Sequence, residues 1–167
     1  MAETKMEPRK LPQNVPAEEL INLLPHKGKM FLLDHLTQHD IVARTLESES
    51  LVTKNHIFYD EALDGIPSHV AFELIAQSIS ALSGVTGCER GEPPKPGFLL
   101  SIQNYSAKVD RFKVGTSVHV AIKKIDELES MLTYSGVAYS SENPDVPAVE
   151  TTITVMETND LRILGEK

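Results

Sequence analysis

The stretch Gly65-Ile66-Pro67-Ser68-His69-Val70-Ala71-Phe72-Glu73-Leu74-Ile75-Ala76-Gln77-Ser78 decides the fold of this 167-residue chain. From residue 70 to about 84, apolar groups lie on every side of a helical pattern that only Glu73, Gln77 and small serines interrupt. A helix that is apolar all round must be buried, so this segment is predicted to be the central element. A carboxylate inside such a helix needs a partner or a proton, because burying an unpaired charge is costly. Glu73 therefore marks a candidate site.

Outward from this helix, the chain is predicted to form a short helix and six strands. The predicted helix covers residues 16–24, and the strands cover residues 30–38, 41–52, 98–108, 116–125, 131–139 and 146–156. Short connections between the last four strands favour antiparallel neighbours. We therefore predict an α+β fold in which one antiparallel six-stranded sheet wraps around the long central helix. The domain is expected to span residues 16–157, between a flexible N-terminal tail at 1–15 and a C-terminal tail at 158–167.

Composition narrows the class of protein before any motif is used. Hydrophobic residues make up 41% and charged residues 24% of the chain, which is typical of a soluble globular protein. The net charge of −8 argues against general nucleic-acid binding, since phosphates would be repelled. Apolar runs fall short of the roughly 20 residues that span a bilayer, and the polar start lacks the apolar core of a secretion signal. We therefore predict a cytoplasmic protein with no membrane span.

A histidine in the loop ahead of the helix is the predicted partner of the carboxylate. His56 lies in Asn55-His56-Ile57-Phe58, and Gln77 shares the helix face of Glu73 one turn on. His69, beside the helix start, is the competing position for the histidine. His26, in a turn, is assigned a structural role. The sequence predicts no metal site.

Three segments carry a resemblance to a known family. Leu23-Leu24-Pro25-His26-Lys27-Gly28-Lys29-Met30-Phe31-Leu32-Leu33-Asp34 resembles the amino-terminal signature of the FabZ-type β-hydroxyacyl-acyl-carrier-protein dehydratases, and Phe72-Glu73-Leu74-Ile75-Ala76-Gln77 resembles their central-helix motif. Gly91-Glu92-Pro93-Pro94-Lys95-Pro96-Gly97-Phe98-Leu99-Leu100-Ser101 resembles the ApeP-like branch, which is associated with aryl polyene synthesis.

The resemblance implies the hot-dog fold and dehydration of a 3-hydroxyacyl thioester to the trans-2-enoyl form. It also implies an obligate dimer with two active sites at the subunit interface, where a loop histidine of one subunit faces a helix carboxylate of the other. Glu73 takes the carboxylate position. The family's Gly-His-Phe-Pro motif is absent, and the sequence around His56 stands in its place.

Elementary chemistry favours the same pair. Removing an α-proton and expelling a β-hydroxyl calls for a base, assigned to His56, and an acid, assigned to Glu73. No metal or organic cofactor is expected. Backbone N–H groups at the helix start are predicted to stabilise the developing enolate, and further residues are predicted to orient the acid or line the acyl pocket. The predicted substrate-binding residues are Ser68, His69, Val70, Phe72, Ala76, Gln77, Phe98 and Leu100.

The expected partners are an acyl carrier protein or a coenzyme A thioester, together with a second copy of the chain. Both carriers favour a basic patch, predicted from Lys95, Lys108, Arg111 and Lys113 around one strand end. A homodimer or a higher homo-oligomer would cover the edge of a single open sheet. Two other functions stay open: a hot-dog thioesterase that activates water with the helix carboxylate, and a non-catalytic subunit that binds acyl thioesters.

Overall fold

The computed structural model describes residues 6–95 and 97–158, which form one sheet-and-helix domain. Its elements are β1 (Val15–Pro16), α1 (Ala17–Leu20), β2 (His35–Asp40), β3 (Thr45–Leu51), β4 (Gly65–Pro67), α2 (Ala71–Arg90), β5 (Gly97–Ala107), β6 (Arg111–Lys113), β7 (Ser117–Leu128), β8 (Met131–Ser140) and β9 (Val149–Glu157). Two 3-10 turns, Gly28–Met30 and Ser68–Val70, precede β2 and α2.

The main sheet is antiparallel, in the order β1-β2-β3-β7-β8-β9-β5, and β4 pairs separately with β6. The predicted α+β architecture, with a sheet around one long helix, is therefore confirmed. The predicted strand number is wrong, because the sheet has seven strands and β4 and β6 lie outside it. The additional strands β1, β4 and β6 have only two or three residues each, which is too short to produce an alternating pattern.

The core lies between α2 and the concave face of the sheet. Leu74, Ile75 and Leu82 of α2 are fully buried. Gly136 on β8 allows the close approach, since a Cβ atom there would lie 2.4 Å from Cγ2 of Ile75. The segment Ser68–Arg90 is long and apolar enough to span a membrane by composition alone, contrary to the sequence prediction, but 72% of its most apolar window is buried inside the protein. It is the core helix of this fold.

Part of the predicted N-terminal tail packs onto the domain. Leu11 is buried in the core, and the backbone N–H of Arg9 donates to the carbonyl of Cys88 at 3.0 Å. Residues 1–5 lie outside the described residues, so their place in a tail before the domain stays a prediction. The predicted C-terminal tail lies outside them too, except for Thr158.

One edge of the sheet is formed by the eleven-residue strand β5. Its inner edge pairs with β9, and its outer edge faces no other strand of the described chain. Four large apolar side chains on β5 are more than a third exposed: Leu99, Leu100, Ile102 and Tyr105. Proteins normally protect such a long apolar edge.

Candidate active site

Glu73 occupies the first turn of α2, where a negative charge interacts favourably with the helix dipole. Its side chain is 21% exposed. Gln77, one turn further along, donates from Nε2 to Oε1 of Glu73 at 3.0 Å. The carboxylate is therefore held in one orientation and keeps its second oxygen for other contacts.

Gln77 is completely buried and links α2 to the segment before β2. Its Oε1 accepts the N–H of Leu32 at 3.0 Å, and its Nε2 also donates to the carbonyl of Met30 at 2.8 Å. These bonds satisfy backbone groups that lie outside the sheet ladder. Gln77 was predicted to be a substrate-binding residue, and the structure gives it contacts that orient Glu73 and hold this segment.

His26 is the second side chain beside Glu73, with 3.5 Å between His26 Nε2 and Glu73 Oε1. The ring is 28% exposed, and Nδ1 is buried without a hydrogen-bond partner in the described part of the chain. Neighbouring Lys27 holds the turn through the carbonyls of Ile21 and Leu24. The sequence analysis gave His26 a structural role and did not predict its contact with Glu73, because the position of a residue in a turn does not reveal which helix packs against that turn.

A cavity of about 160 Å³ extends from Glu73 along α2 towards β5. Ala76, one of the predicted substrate-binding residues, lines it together with Ile79 and Ser80. On the strand side, Gly97 and Leu99 line it in place of the predicted Phe98 and Leu100. Successive strand residues face opposite sides, and a register shift between Leu99 and Ser101 alters the alternation further. In the described chain, this cavity is therefore reached from the face of the strand that carries Leu99, and the substrate-binding role of Phe98 and Leu100 stays a prediction.

Phe72, another predicted pocket residue, lies outside this set of lining residues, and so does Gly84 of α2. Gly84 instead packs against Leu23, since a Cβ atom at residue 84 would lie 2.2 Å from the Leu23 carbonyl oxygen. Its small size serves the contact between α2 and the segment after α1, so it does not set the depth of the cavity.

The helix start offers fewer free donors than the sequence predicted. The Ser68 N–H already donates to the carbonyl of Asp110 at 3.0 Å, and the Ser68 carbonyl accepts the Tyr105 hydroxyl at 3.0 Å. Val70 is buried and His69 is exposed. Within the described residues, the histidine in contact with Glu73 is His26 and not His69. The predicted oxyanion role of His69 and Val70 stays a prediction.

His56 opens into a different cavity, of about 240 Å³, whose lining includes Asp34 and Phe31. The Phe58 N–H donates to Nδ1 of His56 at 3.1 Å, whereas Nε2 is buried without a partner among the described residues. Burial lowers the pKa of His56, although the charge of Asp34 opposes this shift. A neutral ring whose Nδ1 accepts a hydrogen bond carries its proton on Nε2. In this arrangement His56 presents an N–H donor.

One chain therefore places the two predicted catalytic residues in separate cavities. Leu32 lines the cavity of His56, while its N–H is bound by Gln77 on the side of Glu73. The segment around Leu32 thus lies between the two sites. The hydrogen-bond and ion-pair partners of Glu73 in the described chain do not include His56.

The predicted basic patch is divided between two places. Lys95 lines the Glu73 cavity ahead of β5, whereas Lys108 follows the other end of that strand. The eleven residues of β5 separate these ends by about 35 Å. Arg111 and Lys113 belong to β6, soon after Lys108. Residues 6–95 and 97–158 contain no group of three or more His, Cys, Asp and Glu side chains arranged to hold a metal ion.

Residues 18–165 match the ApeP-like protein family, described as ApeP dehydratase. No curated protein matches the chain. The dehydratase heterocomplex ApeI:P from Xenorhabdus doucetiae shares the fold with a TM-score of 0.76 and 19% identity, over 87% of this chain and 95% of that one. The smu.793 protein from Streptococcus mutans, bound to acetyl CoA, is similar with a TM-score of 0.53 and 11% identity, over 69% and 82% of the two chains.

The PaaI protein from the E. coli phenylacetic acid degradation operon has the same fold, with a TM-score of 0.56, 7% identity, and coverage of 72% of this chain and 80% of that one. At these identities the structural matches establish the fold alone.

Proposed function

Because the chain belongs to the ApeP-like dehydratase family, we propose that it converts 3-hydroxyacyl thioesters, carried by an acyl carrier protein, into trans-2-enoyl thioesters. The observation that carries this proposal is the Glu73 carboxylate, which Gln77 orients at 3.0 Å at one end of a cavity along α2. A fixed carboxylate beside an elongated pocket suits proton transfer at the head of an acyl chain.

Glu73 serves first as the base and then as the acid. Its carboxylate takes the α-proton of the thioester, and the resulting enolate expels the β-hydroxyl as the new double bond forms. The departing oxygen takes the proton back from Glu73 and leaves as water, so the enzyme returns to its starting state. His26, 3.5 Å away, and Gln77 hold the carboxylate through both transfers.

His56 supports this reaction as a neutral hydrogen-bond donor. With Nδ1 occupied by the Phe58 N–H, its Nε2–H would donate to the thioester oxygen as negative charge develops there. Burial lowers the pKa of His56 and so favours this neutral form. The sequence assigned His56 as the base and Glu73 as the acid. This hydrogen bond instead argues that Glu73 carries out both proton transfers and that His56 acts as a hydrogen-bond donor.

A complete site requires two chains, since His56 and Glu73 open into separate cavities of one chain. The exposed edge of β5, which lies beside the Glu73 cavity, is the surface on which a second chain would pair. The second chain is another copy, which gives a homodimer or a higher homo-oligomer. The relative from Xenorhabdus doucetiae is a heterocomplex, so a second hot-dog subunit is the alternative partner.

The charge of the protein bears on how the substrate carrier docks. An acyl carrier protein is acidic, as is this chain with its net charge of −8, so docking requires a local basic surface. Lys108 and Lys113 are exposed near one end of β5 and form such a surface with Arg111. A coenzyme A thioester would use the same cations. Fatty-acid or aryl-polyene-type synthesis in the cytoplasm is the proposed setting.

One assay tests the reaction. The protein is incubated with 3-hydroxyacyl and trans-2-enoyl thioesters, and enoyl absorbance and free thiol are followed together. We expect interconversion without thiol release, a loss of at least a hundredfold in Glu73→Gln, and near wild-type rates in Glu89→Gln, a matched change on the same helix. Thiol release would instead identify a thioesterase, and binding without either reaction would identify a non-catalytic subunit.

A further inference from the structure

A bulge interrupts the edge strand β5 shortly before its end. The pairing of β5 with β9 shifts register between Gln103 and Ser106, which leaves an extra residue on β5. Asn104, inside the bulge, has a φ of 53°, a left-handed conformation that asparagine adopts more readily than most residues. Bulges re-aim the side chains next to them. The next residue here is Tyr105, whose side chain reaches the start of α2.

Tyr105 holds the turn ahead of α2 through one hydrogen bond. Its hydroxyl donates to the Ser68 carbonyl at 3.0 Å. On the other side of the same residue, the Ser68 N–H donates to the Asp110 carbonyl at 3.0 Å. Burial raises the pKa of the Tyr105 hydroxyl above its ordinary value, so it stays a protonated donor at neutral pH. The turn is therefore fixed from outside the helix.

The hydrogen bond from Tyr105 also acts on a backbone donor. The Ser68 carbonyl and the His69 N–H belong to one planar peptide group, so holding the carbonyl oxygen also sets the direction of the N–H. A carbonyl that accepts a hydrogen bond polarises its peptide group and makes the N–H a stronger donor. His69 is exposed, and its N–H has no hydrogen-bond partner within the described residues. It is therefore an oriented donor that the fold does not use.

This donor lies on the same side of the helix as Glu73. Glu73 follows His69 by four residues, and residues four apart lie on one helix face with about 6 Å between them. In a thioester, the oxygen and the α-carbon are attached to the same carbonyl carbon. A substrate whose α-proton faces Glu73 therefore has its oxygen close to the helix start. Negative charge develops on that oxygen in the enolate, and oriented donors stabilise it.

We propose that Tyr105 is a positioning residue of the dehydratase site. It orients and polarises the peptide between Ser68 and His69, whose N–H donates to the thioester oxygen as the enolate forms. This N–H is a second donor to the oxygen that His56 of the other chain also serves. Tyr105 itself touches no reacting atom and transfers no proton. The inference rests on the proposed function, since it takes the Glu73 cavity as the place where the α-proton is removed.

The kinetic test replaces only the hydroxyl. Tyr105→Phe keeps the ring, and we expect kcat for enoyl formation to fall about tenfold with KM within about twofold, because the donor matters most once charge develops on the oxygen. Tyr139→Phe is the matched control and should keep the full kcat, since Tyr139 lies on β8 beside His119, in another part of the sheet. Full kcat in Tyr105→Phe, beside an active wild-type protein, would overturn the proposal and leave the proposed function intact.

Infrared spectroscopy of a bound thioester separates positioning from a loss of structure. The probe is a saturated acyl-pantetheine thioester, isotopically labelled at the carbonyl carbon, which lacks the β-hydroxyl and cannot be dehydrated. A hydrogen bond to the carbonyl oxygen lowers its stretching frequency. The frequency should therefore be higher in Tyr105→Phe than in the wild-type protein or in Tyr139→Phe. A lower kcat with an unchanged frequency would give Tyr105 a structural role only and overturn the proposal.

Two substitutions at Asn104 test the bulge without changing Tyr105. Glycine adopts a left-handed φ without strain, whereas the β-branched valine disfavours it. We therefore expect kcat to be lower in Asn104→Val than in Asn104→Gly, and the reverse order would contradict the role of the bulge. If the wild-type protein forms no enoyl product, the proposed function falls. A frequency shift in Tyr105→Phe would then still support the hydrogen bond from the His69 N–H, and an unchanged frequency would overturn it.

Discussion

Replacing Gln77 with leucine should destabilise the protein and disable Glu73 together. The substitution removes three hydrogen bonds, to Leu32, Met30 and Glu73, at a residue with no exposed surface. Each bond contributes about 1 kcal/mol net, and the orphaned N–H of Leu32 adds a desolvation cost of about 1–3 kcal/mol. The apolar leucine recovers part of this loss. We expect a net decrease of about 3 kcal/mol in the free energy of unfolding.

Urea denaturation at a fixed protomer concentration measures this change, because assembly makes stability depend on concentration. Gln38→Leu is the matched control, since Gln38 is exposed on β2, and it should stay within about 0.5 kcal/mol of wild type. The rate of enoyl formation should fall in Gln77→Leu under conditions where the protein stays folded. A stability within 0.5 kcal/mol of wild type, with full activity, would refute the inference that Gln77 positions Glu73.

Three further predictions concern pH, packing and assembly. Because burial lowers the pKa of His56, protonation of this ring favours the unfolded chain. The free energy of unfolding should therefore hold above about pH 6.5 and fall as the pH drops below it. In urea titrations His56→Gln should flatten this decline, and the same decline with pH in the variant and the wild type would contradict the prediction. Gly136→Ala should lower the free energy of unfolding by about 1–3 kcal/mol, since its Cβ would lie 2.4 Å from Cγ2 of Ile75. Thermal unfolding measures this change, and an unchanged melting temperature would argue against this packing. Ile102→Lys, on the open edge of β5, should dissociate the assembly in sedimentation equilibrium at low micromolar concentration, whereas Val42→Lys, at a residue 90% exposed, should not.

Local sequence patterns predicted the elements that carry strong local signals. The central helix was found because its apolar residues surround Glu73 and Gln77. Six of the strands were found because β-branched and aromatic residues alternate over nine or more positions in several of them. The strand order could not be predicted, since β3 pairs with β7 across a long stretch of chain that includes α2. Such long-range pairing depends on the whole core and leaves no mark in a local window.

The surroundings of Glu73 show the same limit. That a carboxylate in an apolar helix has partners follows from the cost of burying a charge, and Gln77 one turn away was the visible candidate. His26 was missed as a neighbour because it lies 47 residues earlier, in a turn whose position against α2 is fixed by Gln77 and the segment around Leu32. Lys95 was grouped with the wrong cations, because proximity in sequence takes no account of the length of β5.

Mixed assemblies of two variants test whether His56 of one chain and Glu73 of another complete one dehydratase site. His56→Ala and Glu73→Gln, each inactive alone, are co-expressed with different affinity tags, and the mixed dimer is isolated through both tags. In a two-fold dimer one of its two sites then has both native residues. We expect this mixed dimer to form the enoyl product at about half of the wild-type rate. A mixed dimer as inactive as either parent, beside an active wild-type protein, would contradict it.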